Sequence, residues 1–333
     1  MSDSGRAPGV REVAAAAGVS RQTVSRVLND HPSIRPETRE RVLRAMADLS
    51  FRPNRAARML TTARSRTIGV LAASASSLFG PASSIDAVEQ AGREAGYFVT
   101  VAHAASLDRA ELVAAIDHLS AQSVEGVVVI APQRAVQEAM AALSLSVPSV
   151  TLHGAGVAGD EGVFVDQFEG ARLATRHLIE RGHMRIAHLS GPADWSEARA
   201  RRDGFVAELS AAGLEPVVSR EGDWTAASGA AIGAELLSGE EAPSAIFSSN
   251  DQMALGVLHA SRLLGLRVPD DLALVGFDDI PEAAFFSPPL TTVRQDFPEL
   301  GRRCIARLVA LIEGRELVFR APVAPVLVVR DSA

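Results

Sequence analysis

From Thr67 onward, apolar runs of four to six residues alternate with amphipathic stretches of helical period. The runs are IGVLAA (68–73), YFVTVA (97–102), GVVVIA (126–131), VPSVTL (147–152), GVFVD (162–166), RIAHLS (185–190), SAIFSS (244–249) and LALVGF (272–277). Near-continuous Val, Ile and Leu separated by helical patterns predict parallel strands covered by helices on both faces. Eight such units are too many for one tidy sheet and suit two doubly wound parallel sheets.

Residues 1–66 have a different texture. Val10, Val13, Ala14 and Ala17 recur at helical spacing, Gly18 breaks the pattern, and Ser20 is a good N-cap for a second helix. Pro36 suits the first position of a third helix, whose expected buried stripe is Val42, Leu43, Met46, Ala47 and Leu49. After Arg52-Pro53, NRAARMLTTARSRT reads as a linker that is helical at most over Asn54 to Leu60. A helix that short is not stable alone in water, so it folds only when something holds it. The division is 1–53 for an all-α head, 54–66 for hinge and linker, and 67–333 for an α/β core.

Composition changes the picture through charge. The net value of −7 argues against a nucleic-acid binder until the chain is cut near residue 66. Residues 1–66 carry thirteen Arg against six acids, and the remainder twenty Arg against thirty-four. A basic head on an acidic body is the pattern of a module aimed at a polyanion. All 33 basic residues are Arg, in both parts of the chain, which points to genome composition more than chemistry. No apolar run approaches the roughly 20 residues that span a bilayer, and MSDSGRAPGV lacks the order of a signal peptide, so a cytoplasmic protein without membrane contact is expected. Cys304 is the sole cysteine and reads as a core residue. The histidines show no metal-ligand spacing: His183 and His188, in RGHMRIAHLSG, read as structural, and no metal or cofactor is expected.

Helix, Gly turn, helix is the layout of a helix-turn-helix, whose second helix puts its N-terminal residues on base edges in the major groove. Within GVSRQTVSRVLN the first exposed positions are Arg21 and Gln22, with Arg26 a turn later. Arg pairs with guanine and Gln with adenine, while Thr23, Ser25 and Asn29 are suitable phosphate or sugar donors. Val24 and Val27 face the head's small core. Taken alone, the same stretch is also an ordinary solvated helix face.

REVAAAAGVSRQTVSRVLN followed by PETRERVLRAMADLSFRPNRAARML resembles the DNA-binding head of the lactose-repressor/galactose-repressor family of bacterial transcription regulators. The resemblance implies base reading by Arg21 and Gln22, with Arg26 in the same helix, and places Asn29 and Asn54 near the DNA backbone. It makes Asn54 to Leu60 a hinge helix that orders on operator DNA and pairs with its dimer mate. Leu60 is then the wedge in the central minor groove, with Ala57 one turn before it. Arg35 departs from the Ser-like cap that often precedes the third helix.

The body resembles the same family's periplasmic-binding-protein-like core, two subdomains joined by crossovers placed near Asp166, Thr292 and Ala324. The implied N-subdomain is 67–165 with 297–323, and the C-subdomain 166–293 with 324–330. Two such sheets leave a cleft at the carboxyl ends of their strands, where small ligands bind. REGDWTAASG (220–229), NDQMALG (250–256) and PPLTTVRQDF (288–297) are closest to the lactose-repressor branch. From these and from SEARARRDGF and VGFDDI, the resemblance assigns Trp224, Asn250, Arg199, Asp278, Gln295 and Phe297 to an effector pocket. A flat aromatic face and several bidentate polar groups suit a sugar. Each also has a bland reading: Trp224 as a core aromatic, Asp278 as a strand-end cap, Arg199 as a surface ion-pair partner. His153 stands where that branch has an acidic residue at the cleft edge, Val165 replaces an aromatic wall, and Gly80-Pro81 falls on the loop that touches the sugar. His103, at a strand end, is a weaker candidate.

The function so implied is a sequence-specific repressor of a sugar-utilisation operon. It binds palindromic double-stranded operator DNA as a homodimer and is released by a small sugar, a galactoside or another glycoside. The family's tetramer-forming leucine heptad is expected after residue 330, and the sequence stops at 333, so the expectation is a dimer. Two alternatives stand beside this reading: a regulator strengthened by a purine or phosphorylated co-repressor, and a sugar-binding transport protein. An enzyme is not expected. There is no Gly-rich phosphate loop with Lys, no HExxH and no GxSxG, and the adjacent Asp278-Asp279 carboxylates point apart.

Overall fold

The computed structural model describes residues 8–28, 31–51, 64–73, 79–104, 106, 108–143, 145–153, 162–315, 317, 319 and 321–333. Two compact units divide the chain, Met1–Ser65 and Arg66–Ala333.

In the first unit, helices α1 (Val10–Ala17), α2 (Arg21–Leu28) and α3 (Pro36–Asp48) enclose Val13, Ala14, Ala17, Val24, Val27, Val42, Ala45 and Met46. Gly18 ends α1 with φ 62°, a left-handed conformation that glycine adopts without a Cβ penalty, and the Val19 N–H closes the turn on the Ala14 carbonyl at 3.0 Å. Ser20 then caps α2, its Oγ accepting the Thr23 N–H at 3.1 Å. The stripe of α3 differs from expectation: Leu43 and Ala47 are exposed, and Ala45 is buried beside Val42 and Met46. Val42, Ala45, Met46 and Leu49 are the i, i+3, i+4, i+7 set of one helix face, and Leu43 and Ala47 lie one residue round from it. Arg35 precedes α3 in extended conformation and makes no side-chain cap.

The second unit holds two sheets. β1 (Thr67–Ala72), β2 (Phe98–His103), β3 (Gly126–Ile130) and β4 (Ser149–Leu152) pair in parallel in the order β2-β1-β3-β4. Helices α4 (Phe79–Glu94), α5 (Arg109–Ala121) and α6 (Arg134–Ala141) connect them. β1 and β3 are buried throughout, as their continuous apolar runs require. The other sheet has the order β10-β9-β8-β7-β5-β6, from β5 (Ile186–Leu189), β6 (Val217–Val218), β7 (Ala245–Ser248), β8 (Ala273–Asp278), β9 (Thr291–Arg294) and β10 (Val326–Val328). It is parallel except at its edge, where β10 runs antiparallel to β9. Its helices are α7 (Gln167–Glu180), α8 (Ser196–Ala211), α9 (Ala226–Leu237) and α10 (Asp251–Leu263).

The chain passes between the sheets after β4, after β9 and again before β10. After β9, α11 (Phe297–Ile312) returns to the first sheet, burying Leu300, Cys304, Ile305 and Leu308 against Ile68, Val70 and Val128. The expected strand over GVFVD is instead a pair of single bridges, Val163 to Leu152 and Val165 to Val323, because this crossing segment pairs only at alternate residues. Val165 itself is buried in the core.

Candidate functional site

Between the two sheets lies a cleft that is half open to solvent. Phe79, Gly80 and Pro81 at the start of α4, with His153 just past β4, form its first wall. Opposite stand Trp195, Glu197 and Arg201 around the start of α8, Trp224 before α9, Asn250 at the N-cap of α10, Asp278 at the end of β8, and Gln295 after β9. His153, Trp224 and Asp278 have φ of 67°, 72° and 112°, left-handed values that cost non-glycine residues strain and that gather at functional sites.

Arg201, 4% exposed, organises the floor. Its Nε donates to Gln167 Oε1 at 2.9 Å, Nη1 donates to the Ser249 carbonyl, and Nη2 reaches Asp278 Oδ1 at 3.4 Å. Gln295 Nε2 donates to the same Asp278 oxygen at 2.7 Å, and Gln167 Nε2 donates to Gln295 Oε1 at 2.7 Å. The guanidinium lies 3.8 Å from the centre of the Phe277 ring, a cation–π contact. Burial pushes Asp278 up to about 6, and the charge of Arg201 and the Gln295 hydrogen bond hold it from rising further. Below it, Asp251 is raised well above the usual carboxyl range by burial and by Asp278; it accepts from Thr292 Oγ1 at 2.6 Å and the Ile280 N–H at 2.9 Å, which fixes the turn after β8.

Trp224 supplies the aromatic wall. Its ring packs on Gly191, where a Cβ would come within 2.5 Å of it, and meets Trp195 edge-on at 5.3 Å. Asn250 holds this segment from below: Oδ1 accepts the Met253 N–H at 2.9 Å, and Nδ2 donates to the Trp224 carbonyl at 3.0 Å and to Gln252 at 2.9 Å. Its amide is thus committed to positioning Trp224. Among the described residues, two buried polar atoms of cavity-lining side chains have no partner: Glu197 Oε2 and Trp224 Nε1.

Of the residues the sequence assigned to this pocket, Gly80, Pro81, His153, Trp224, Asn250, Asp278 and Gln295 are brought together here. Arg199 is not among them. It is exposed and faces a separate depression with Arg202, Arg220 and Glu221, because two residues along a helix turn a side chain by roughly 200°. Arg201 occupies the position assigned to it. Phe297 does not line the cavity either: as the first residue of α11 it is drawn into the first sheet's core, and its ring backs Phe79 edge-on at 5.9 Å. Phe79, Trp195 and Glu197 escaped the sequence reading, although Glu197 and Trp195 flank the Ser that opens α8. His188 lies beneath the site between Phe205 and Phe247, held to about 3 by burial, and His103 is exposed outside the cavity. No group of His, Cys, Asp or Glu among the described residues is placed to hold a metal ion, and no helix among them is long and apolar enough to cross a membrane.

On the head, α2 exposes Arg21, Gln22 and Arg26 on one side and buries Val24 and Val27 on the other. Thr23 and Ser25 are half-buried, and the Thr23 hydroxyl lies 2.9 Å from that of Ser20. Asn29, Asn54, Ala57 and Leu60 lie outside the described residues.

A helix-turn-helix unit followed by a two-sheet core with a polar, aromatic-walled cleft defines a ligand-responsive DNA-binding regulator. Residues 10–54 match the family described as bacterial regulatory proteins, lacI family, and residues 175–333 match the periplasmic binding protein-like domain. The lactose operon repressor of Escherichia coli (strain K12) is 37% identical over 307 residues, 91% of this chain and 84% of that protein. The HTH-type transcriptional repressor PurR of Haemophilus influenzae (strain PittEE) is 32% identical over 331 residues, covering 97% of this chain and 98% of that protein. Among solved structures, the lac repressor dimer bound to operator and the anti-inducer ONPF superposes with a TM-score of 0.83 at 34% identity, covering 98% of this chain and 99% of that one. The chain belongs to the lacI family of bacterial regulatory proteins, which are transcriptional repressors and not enzymes.

Proposed function

We propose that this repressor binds a palindromic operator as a homodimer and is released by a small neutral sugar, a galactoside or another glycoside. The observation that carries the reading is the pair of unpartnered atoms on the cavity walls, the acceptor Glu197 Oε2 and the donor Trp224 Nε1, beside an indole face. Leaving each buried and unpaired costs about 1–3 kcal/mol, and sugar hydroxyls, which donate and accept, satisfy both while the ring's C–H face covers the indole. A phosphorylated effector fits poorly, since it would face the carboxyl groups of Glu197 and Asp278 while each nitrogen of Arg201 is already engaged. The name of the lactose operon repressor supports a sugar, and a purine co-repressor is the second reading.

In this account Arg21, Gln22 and Arg26 read bases, Thr23, Ser25, Asn29 and Asn54 grip the DNA backbone, and Leu60, with Ala57 a turn before it, wedges the central step. Residues 54–66 act as the hinge between this head and the core. Effector binding in the cleft favours one relative orientation of the subdomains and so weakens hinge pairing at the operator, a coupling of two sites through a bistable element. Calorimetric titration of the purified protein with lactose, methyl β-D-galactopyranoside, cellobiose, galactose 6-phosphate, guanine and hypoxanthine tests the effector class. Saturable binding of a neutral glycoside is expected; binding of a purine or the sugar phosphate alone would overturn it.

A further inference from the structure

His153 and Glu197 come from opposite walls of the cleft, one just past β4 of the first sheet, the other in the first turn of α8 beside the second. His153 Nδ1 lies 3.0 Å from Glu197 Oε1, with both side chains nine-tenths buried or more. The imidazole is fixed on its own side. Ser84 donates its hydroxyl proton to the Gly80 carbonyl at 2.8 Å, so its oxygen accepts from His153 Nε2–H at 2.8 Å. Glu197 Oε1 is thus held across the cleft by the Nδ1–H of the imidazolium form, the ring that also donates from Nε2, while Oε2 has no partner among the described residues. Other bridges among the described residues cross the cleft beside this pair: the Arg134 N–H donates to the Asp194 carbonyl at 2.9 Å, the Ser196 N–H to the Pro132 carbonyl at 3.0 Å, and Gln137 Nε2 to Ser196 Oγ at 3.2 Å.

We propose that Glu197 is a specificity-determining residue that also latches the cleft. Oε2 accepts a hydrogen bond from a hydroxyl of a neutral polyhydroxylated effector, and Oε1 on His153 ties that recognition to closure of the two subdomains. Trp224 Nε1 donates to an oxygen of the same ligand, so the cavity selects a molecule that offers a donor to Glu197 and an acceptor to the indole. This half rests on the glycoside reading above; the latch does not. The acid that the resemblance places at the His153 position is here supplied by the facing wall.

Two measurements test the two halves separately on the full chain. Amide hydrogen exchange at Arg134 and Ser196, without any ligand, reads closure. His153→Ala and Glu197→Ala should each speed both amides by about tenfold, the double variant no further, while the amides of β1 keep their wild-type rates. Unchanged rates, or effects that simply add in the double variant, would overturn the latch. Calorimetry with lactose, methyl β-D-galactopyranoside, cellobiose and galactose 6-phosphate reads recognition. Glu197→Leu, which removes both oxygens at similar volume, should weaken the bound glycoside by about tenfold or more and narrow its preference over the phosphate. If wild type binds a glycoside and Glu197→Leu binds it equally, the recognition role fails while the glycoside reading stands. If wild type binds none of the neutral sugars, both fail, and the exchange result still decides the latch.

Discussion

Trp224 is placed by three constraints that act on different atoms. Asn250 holds its carbonyl, Gly191 lets its ring lie flat against the backbone, and Trp195 supports its edge. Gly191→Ala would push a methyl group into the ring, so we predict a destabilisation of about 1–3 kcal/mol together with loss of glycoside binding, read by thermal unfolding and calorimetry. Asp278 makes a prediction about pH. Its folded value is raised from 3.8 to about 6, so the folded state holds a proton that the unfolded chain has released. That contribution to stability is fully present below pH 4 and is lost as pH rises through about 6. Wild type should therefore lose stability relative to Asp278→Asn between pH 4 and 6.5, measured by urea unfolding across that range; a constant difference would contradict the raised value.

Elements were legible where their pattern was strong. Continuous apolar runs marked β1, β3, β7 and β8, and the Ser20 cap and Gly18 turn marked the two helices of the head. β6, with two residues, and β10, with three exposed or half-buried ones, carry no such signal, and β9 was noticed only as part of a binding motif. Helix phase was the other limit. The choice between Arg199 and Arg201 is a choice of face, and in an Arg-rich helix start the residue types do not make it; only the packing of α8 against the second sheet does. Glu197 was missed for the same reason, since a Glu in a helix's first turn is ordinary until its burial and its facing His are seen. For α2 the prediction is a change of preference. Gln22→Ala should alter discrimination at one base pair per half-site by about 1–3 kcal/mol, whereas Leu60→Ala should lower affinity with little change in half-site preference; binding to a panel of singly substituted operators separates the two.

At the scale of the whole molecule, charge and cleft divide the work. The head's excess of Arg supplies salt-dependent grip on phosphates, and the acidic body is kept from adding to it. The core contributes a cleft lined by strained residues, the Arg201 network and, among the described residues, two buried atoms without a partner. The central claim is that filling this cavity loosens the head's hold. Its most direct test is the affinity of the protein for a labelled palindromic duplex selected for binding from a random pool, measured by fluorescence anisotropy with and without saturating glycoside, in wild type and in Trp224→Ala. We predict a loss of affinity of about tenfold or more in wild type and none in Trp224→Ala. Wild-type affinity that stays constant under every neutral glycoside, or that rises with guanine or hypoxanthine, would contradict the account.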